Sequence, residues 1–428
     1  MKIAVVGTGY VGLVTGVCFA ELGHQVSCVD IDKEKIDKLL RGESPIYEPG
    51  IDRLLKKNIH SGRLEFFSVI KDGIDKAQVI FIAVGTPSRA DGTVETKCVE
   101  AVAKEIGRNL KRYVVIVNKS TVPVGTGEKV RKIVAREYGG RFDIVSNPEF
   151  LREGQAIRDF MSPDRVVIGI PPGRAEKIMR NLYAGVKTEV FFTTIKTAEM
   201  IKYASNSFLA ASISFINSLS ELCEKVGANI NDVAHGMKLD KRIGRQAFLT
   251  AGPGFGGSCF PKDVLGLVNT AKQFGVNLPL LAATINVNIR QSEIVFGKVK
   301  SILGVLRGKT VAVWGLAFKP ETDDLRESPA VNLVRKLVDA GAEVKCFDKV
   351  AEENGRKMFP KVFFAKNPLD AIFQADCLVI MTEWRQFREI KLAGIKKYLK
   401  QDNIVDARNI YKKTEAIKLG FKYEGIGQ

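Results

Sequence analysis

The period of the apolar positions changes along the chain, and the changes divide it. Ile3 to Val6 is a short apolar run of strand character, followed by the turn Gly7-Thr8-Gly9-Tyr10-Val11-Gly12, a helical stretch to Leu22 and a second strand from Gln25 to Asp30. Further apolar runs at Val79 to Val84, Val114 to Asn118 and Asp143 to Ser146 each follow a charged, helical stretch, so strands and helices alternate and a parallel sheet is expected. From about Thr197 to Arg290 the period turns helical, and Ile201, Phe208, Ile213, Ile216, Leu219 and Leu222 suit one long helix and its packing seam. Strand-like runs return at Lys309 to Gly315, Glu343 to Asp348, Cys377 to Met381 and Ile404 to Asp406, with a helix near Ser328 to Ala340. The expected fold class is α/β: two Rossmann-like, doubly wound parallel-sheet domains, residues 1–195 and 301–428, joined by a helical middle domain with a long central helix, residues 196–300.

Composition leaves this picture intact. At 428 residues, with 45% hydrophobic and 26% charged positions, the chain has the make-up of two or three ordinary globular domains. The formal net charge of +17 is scattered and interleaved with Asp and Glu. It reads as a solvated surface that attracts small polyanions, dinucleotides and sugar nucleotides among them, and no nucleic-acid partner is expected. The 7 cysteines form no CxxC pair and no Cys/His cluster, which argues against a disulfide framework and against a zinc site. No metal is expected. The chain starts on a strand without a charged-then-apolar leader, and no apolar run approaches a membrane span, so a cytoplasmic protein without a membrane partner is expected.

Two features carry chemistry on their own. Gly7, Gly9 and Gly12 lie between a strand and a helix, where glycines permit a tight turn, close approach of a pyrophosphate and close helix packing. Asp30 closes the second strand, where a carboxylate accepts hydrogen bonds from ribose hydroxyls and repels a 2′-phosphate, which points to NAD rather than NADP. Cys259, in Gly256-Gly257-Ser258-Cys259-Phe260-Pro261-Lys262-Asp263, follows two glycines and precedes a proline suited to a first helical turn. A thiol at a helix start beside Lys262 has more thiolate, so Cys259 is a candidate nucleophile, the alternative being a turn cysteine. Cys18, Cys28, Cys223, Cys346 and Cys377 lie in apolar elements and read as core thiols. Lys202 and Asn206 are spaced i, i+4 on one helix face and could hold an oxyanion or stand solvated, and Glu149 and Glu153 read equally as acid/base groups or surface charges. The second α/β half has Gly315-Leu316-Ala317-Phe318-Lys319 in place of the glycine pattern, so any nucleotide there is held differently.

Several runs occur together and in order: Gly7 to Gly12, Pro45-Ile46-Tyr47-Glu48-Pro49-Gly50, Lys119-Ser120-Thr121-Val122-Pro123, Asn147 to Gly154, Gly256 to Asp263, and Phe318-Lys319, Thr322-Asp323-Asp324 and Arg326-Glu327-Ser328-Pro329. Across nearly the whole chain they resemble the UDP-glucose 6-dehydrogenases of the UDP-glucose/GDP-mannose dehydrogenase family. The resemblance implies a four-electron oxidation of UDP-glucose to UDP-glucuronate by two NAD, through a Cys259 thiohemiacetal and thioester. It implies that Lys202, Asn206 and Asp263 hold the developing oxygen charge and that Glu149 and Thr121 activate water and handle protons. The cofactor positions that match are Gly7, Gly9, Tyr10, Val11, Gly12, Asp30, Lys35, Thr86, Thr121, Glu153, Lys262 and Arg326. The matching sugar-nucleotide positions are Glu149, Phe150, Leu151, Glu153, Lys202, Asn206, Phe248, Leu249, Thr250, Ala251, Gly252, Gly256, Phe318, Lys319 and Arg408. Arg242 resembles an arginine that the family reaches across from a neighbouring subunit, although the interval from Arg242-Ile243-Gly244 to Phe248-Leu249 is one residue longer than usual. A homodimer or higher homo-oligomer is implied.

Three rival readings follow: a dehydrogenase of GDP-mannose or a UDP-N-acetylhexosamine, a two-electron NAD alcohol dehydrogenase with Cys259 a bystander, and a non-catalytic sensor of NAD or sugar nucleotides. A panel of sugar nucleotides incubated with NAD, scored for the substrate consumed and for NADH formed per sugar, separates them.

Overall fold

The structure is a computed structural model that describes residues 1–89 and 91–428. The chain forms two compact units, Met1–Ser205 with Asn269–Phe274, and Asn206–Val268 with Gly275–Gln428. The first boundary falls inside one continuous helix, Ile195–Val226, and the second inside the helix Phe260–Gln273.

Unit 1 is built on an 8-stranded sheet in the order β3-β2-β1-β4-β5-β6-β7-β8. Its strands are β1 (Lys2–Val6), β2 (Gln25–Val29), β3 (Leu64–Phe67), β4 (Val79–Ile82), β5 (Val114–Asn118), β6 (Phe142–Ser146), β7 (Arg165–Gly169) and β8 (Glu189–Thr193). Strands β1 to β6 are parallel and wound in the order that places a crossover helix on each face. Ile3 and Val5 of β1 join one buried cluster while Ala4 and Val6 join another, because alternate residues of a strand face opposite sides. A strand covered on both faces reads as an unbroken apolar run, the signal seen in the sequence. The fully parallel sheet expected for this half needs one amendment. β7 runs antiparallel to β6, joined at Ser146 and Gly169, and β8 pairs parallel with β7, so the last two strands run in the opposite sense.

Unit 2 contains a second sheet, all parallel, in the order β11-β10-β9-β12-β13-β14: β9 (Thr310–Trp314), β10 (Glu343–Phe347), β11 (Phe363–Phe364), β12 (Cys377–Ile380), β13 (Asn403–Asp406) and β14 (Lys422–Gly425). Val311 and Val313 face one cluster, Ala312 and Trp314 the other. The helices Ile230–Leu239, Phe260–Gln273 and Pro279–Leu303 follow the long helix. The predicted seam on that helix is corrected at two positions. Ile216 is fully buried, but Phe208 is 72% and Leu222 56% exposed, so those two lie on a second apolar face. Among the described residues no helix is long and apolar enough to cross a membrane.

Candidate active site

In unit 1 the glycine turn stands at the C-terminal end of β1. Gly7 has φ +100°, and a Cβ there would lie 2.6 Å from the Ala83 carbonyl oxygen. A Cβ on Gly12 would lie 1.8 Å from the Gly7 carbonyl oxygen, so the turn and the helix Tyr10–Glu21 close up only with glycine at both positions. Gly9 is the N-cap of that helix, has no side-chain cap, and would meet nothing within 4 Å if given a Cβ. The first turn of the helix, at Tyr10 and Val11, thus has no side-chain cap and open space beside its N-cap, a cradle that fits a pyrophosphate. Asp30, just after β2, accepts the Thr8 N–H and hydroxyl at 2.8 Å each on Oδ2 and the Asp32 N–H at 3.1 Å on Oδ1. Burial opposes its ionisation, but these bonds and Lys35 hold the carboxyl below its usual range, as an acceptor of ribose hydroxyls requires. Lys35 lies 3.6 Å from Asp32, and the Thr86 hydroxyl donates to the Thr121 carbonyl at 2.9 Å.

The loop after β6 carries Glu149, Phe150, Leu151 and Glu153. Glu149 is 4% exposed, which removes the surface-charge reading. Its Oε1 accepts from Lys202 Nζ at 2.9 Å, and Oε2 from the Leu151 N–H at 2.5 Å. Burial opposes the Glu149 charge, but the Lys202 ammonium, the Leu151 N–H and the Lys119 charge hold it below the usual carboxylate range. Phe150 packs under the Arg165 guanidinium, 3.7 Å from the ring centroid. Glu153 is half-buried. The next residue, Gly154, donates its N–H to Tyr10 Oη and to Glu48 Oε2, each at 2.7 Å, and the Tyr10 hydroxyl also donates to Glu48. Glu48, 5% exposed, thus ties the glycine turn to the Glu149–Gly154 loop.

In unit 2, Cys259 immediately precedes the helix Phe260–Gln273, and its carbonyl accepts the Asp263 N–H at 2.8 Å. Cys259 is half-buried, whereas Cys18, Cys28, Cys223, Cys346 and Cys377 are buried and Cys98 is exposed, and none of the seven is joined in a disulfide. Asp263 is fully buried, accepts from Asn206 Nδ2 at 2.6 Å and pairs with Lys262. Neither Lys202 nor Asn206 is a solvated helix residue, since they are 4% and 5% exposed. Gly257, with φ +81°, and Gly256 lie against the Phe318 ring and the Glu327 backbone, where a Cβ on Gly256 would stand 2.3 Å from the Glu327 carbonyl oxygen. The Gly257 N–H donates to the Arg326 carbonyl at 2.9 Å. Leu249 and Ala251 are buried, Phe248 and Thr250 exposed, and the Gly252 N–H is held by Asn217 Oδ1 at 2.8 Å. Arg408 donates to the carbonyls of Met381 and Phe318 at 2.9 Å each, beside Gly252. Lys319 is half-buried, 5.7 Å from the Phe318 ring centroid. Arg326 and Arg242 point outward, their side chains 67% and 88% exposed and paired with Asp324 and Asp240.

Family models match in three consecutive stretches: the NAD-binding domain of the UDP-glucose/GDP-mannose dehydrogenase family at residues 1–187, its central domain at 196–290 and its UDP-binding domain at 312–413. The chain belongs to that family. It is 50% identical to the UDP-glucose 6-dehydrogenase of Rhizobium meliloti (strain 1021), with 100% of each chain covered, and 46% identical to one of Bacillus subtilis (strain 168), covering 100% of this chain and 93% of the relative. A solved UDP-glucose dehydrogenase from the hyperthermophilic archaeon Pyrobaculum islandicum superposes with a TM-score of 0.94 at 38% identity, covering 100% of this chain and 97% of that one.

The dehydrogenase is therefore an NAD-dependent oxidoreductase, with its NAD-binding domain in unit 1 and its UDP-binding domain in unit 2. Within each unit, several residues to which sequence reading gave no role stand beside the candidate groups. Glu48 and Lys119 lay in quoted motifs, so a signal existed, but only the fold shows them buried among Tyr10, Gly154, Asn147 and Glu149. Asn217 and Glu199 carried no signal. Glu199, three residues before Lys202, accepts the N–H groups of Gly125 and Gly127 at 2.6 and 2.7 Å, and so caps the helix Thr126–Glu137.

Proposed function

We propose that the dehydrogenase converts UDP-glucose to UDP-glucuronate in two successive oxidations, with Cys259 as the covalent catalyst. The observation that carries this reading is the placement of Cys259: a half-buried thiol at the start of a 14-residue helix, one turn from the buried Asp263–Asn206 pair. A helix N-terminus favours the thiolate. NAD supplies the hydride acceptor at each oxidation.

In the first oxidation the C6 alcohol gives up a hydride and its hydroxyl proton. An aldehyde has no hydride to give until a nucleophile adds, and the Cys259 thiolate adds to form a thiohemiacetal. Loss of the second hydride leaves a thioester, and water cleaves it to the carboxylate and the free thiol. One alcohol, two NAD and one water yield one carboxylate, two NADH and three protons. Lys202, Asn206 and Asp263 hold the oxygen charge that develops at C6, and Glu149 with Thr121 handles water and protons. The glycine turn with Asp30, Lys35, Thr86, Thr121, Glu153, Lys262 and Arg326 serves the cofactor. Phe248 to Gly252, Gly256, Phe318, Lys319 and Arg408, with the Glu149 loop, serve the sugar nucleotide. Residues 1–195, 196–300 and 301–428 are the corresponding functional segments.

The active form is at least a homodimer, in which Arg242 reaches a neighbouring subunit's sugar site. Support comes from Phe208, Phe215 and Leu222, which recur every seventh residue on one helix and are 72, 49 and 56% exposed. Seven cysteines without a disulfide among them suit the reducing cytoplasm.

The test incubates the enzyme and NAD with UDP-glucose, GDP-mannose and UDP-N-acetylhexosamines, and counts NADH per sugar consumed. Two NADH per UDP-glucose are expected. A yield of one with aldehyde as product overturns the four-electron reading, and turnover confined to another sugar nucleotide overturns the substrate. Cys259→Ala is expected to lower kcat by about a thousandfold or more.

A further inference from the structure

Lys119 follows β5 and has no part in the reaction as assigned above, yet it is only 5% exposed. Its Nζ donates to Asn147 Oδ1 at 3.2 Å. The same oxygen takes the Tyr183 hydroxyl at 2.5 Å, and Asn147 Nδ2 donates to the Val167 carbonyl at 2.8 Å. Asn147 is thus fixed from three sides, two residues before Glu149. The Glu149 carboxylate is held by Lys202 at 2.9 Å and feels the charge of Lys119 as well. Two lysines from separate elements therefore place positive charge around one buried carboxylate.

Space-filling does not account for Lys119. A methionine fills a similar volume without the desolvation penalty of a buried ammonium, and a buried ion is retained at a net gain only where its charge is used. The charged and titratable groups that face Lys119 are Glu149 from the loop after β6, Lys202 from the helix Ile195–Val226 and Tyr183 from the end of the helix Arg174–Leu182. Burial pushes the Lys119 ammonium down to about 8, Glu149 acting to raise it and Lys202 to lower it further. Burial also pushes the Tyr183 phenol up, so it stays neutral across this range.

We propose that Lys119 is a positioning residue for the oxidation: its ammonium fixes Asn147 and supplies a second positive charge that keeps Glu149 ionised and aimed at Lys202. The proposal rests on the reading that Glu149 and Lys202 act on the substrate. As pH rises through the range in which Lys119 loses its proton, the second charge disappears and turnover falls.

The experiment measures kcat and KM across the neutral and alkaline range for the wild type, Lys119→Arg and Lys119→Met, with UDP-glucose and NAD, and confirms folding by thermal melting. The wild type should lose turnover in the range near pH 8 where the Lys119 ammonium titrates. Lys119→Arg keeps the charge, so its alkaline limb should move up by about one unit or more with neutral kcat within about fivefold. Lys119→Met should lower neutral kcat by about ten- to a hundredfold, leave KM for NAD within about twofold, and show no limb in that range. A limb that stays at the wild-type position in both variants overturns the proposal, as does a loss of turnover that is equal in the two. Should Lys119→Met fail to fold, the position of the Lys119→Arg limb decides alone. A wild type that makes no NADH from any sugar nucleotide sinks the reaction and this role together, whereas an active wild type with indifferent variants sinks the role alone.

Discussion

The first turn of each sheet uses the same backbone device and ends in a different helix start. Gly7 and Gly315 both have positive φ, +100° and +89°, and donate their N–H groups to Val29 and Phe347 at 2.7 and 2.8 Å. An aspartate at the end of the neighbouring strand then collects the next N–H groups: Asp30 takes Thr8 at 2.8 Å, and Asp348 takes Leu316 at 2.7 Å and Ala317 at 3.1 Å. After that they diverge. In unit 1 the helix begins at Tyr10 with Gly9 as an N-cap that offers no side chain. In unit 2 it begins at Pro329, and the Ser328 hydroxyl accepts the Ala330 N–H and donates to the Leu316 carbonyl at 2.6 Å. One helix start is open to an outside anion, and the other is stoppered by its own chain. A shared strand order therefore does not imply a shared way of holding a nucleotide.

The comparison is most sharply tested at the two aspartates. Asp348→Ala should cost unit 2 about 2–4 kcal/mol, read by urea unfolding, because it strands buried N–H groups, with KM for NAD unchanged. Asp30→Ala should instead raise KM for NAD about tenfold or more, since its half-exposed carboxylate is the group proposed to accept the ribose hydroxyls. If both variants changed NAD affinity alike, the division of roles would fail.

A smaller effect is expected when the helix starts are exchanged. Ser328→Gly should cost up to about 1 kcal/mol, while Gly9→Ser should leave stability within about 0.5 kcal/mol and raise KM for NAD several-fold by placing a hydroxyl on the open N–H groups. Unchanged NAD affinity in Gly9→Ser would show that the open N-terminus is not the feature that matters.

The smallest effect is a pH slope with one contributor in each unit. Burial pushes the Glu199 carboxyl up to about 7 and that of Asp406 to about 6, so the folded chain holds those protons more tightly than the unfolded chain. Their contribution is full in acid, below the unfolded values, and is lost as pH rises through 6 to 7. Unfolding free energies at mildly acidic and mildly alkaline pH should differ by on the order of 1 kcal/mol through each group, and Glu199→Gln and Asp406→Asn should each flatten the slope. Equal slopes in wild type and variants would refute the assignment.

What the sequence made legible was local. The strand runs, the glycine turn with Asp30 and the helix start at Cys259 depend on neighbours a few residues away, and all appear at the expected places. The reversal of β7 and β8 was not legible, because a strand's apolar run carries no sign of its direction. Nor was the burial of Glu149, which depends on Lys202 and Lys119 from distant segments. Asp348 escaped notice because Gly315 lacks the companion glycines that mark the first turn, although one glycine with positive φ is all the shared device needs. Phe208 and Leu222 fit the helical period as well as Ile216 does, and periodicity alone does not say which of two apolar faces is covered.

The continuous helix Ile195–Val226 constrains how this lineage can drift. Lys202 and Asn206 sit one turn apart on it, and each meets its partner, Glu149 or Asp263, only at the present helical phase. A single codon gained or lost between them would turn Asn206 by about 100° about the helix axis relative to Lys202, a change that no later substitution undoes residue by residue. The surrounding loops can lengthen or shorten in descent, but this interval cannot, so its length should outlast most of the side chains around it.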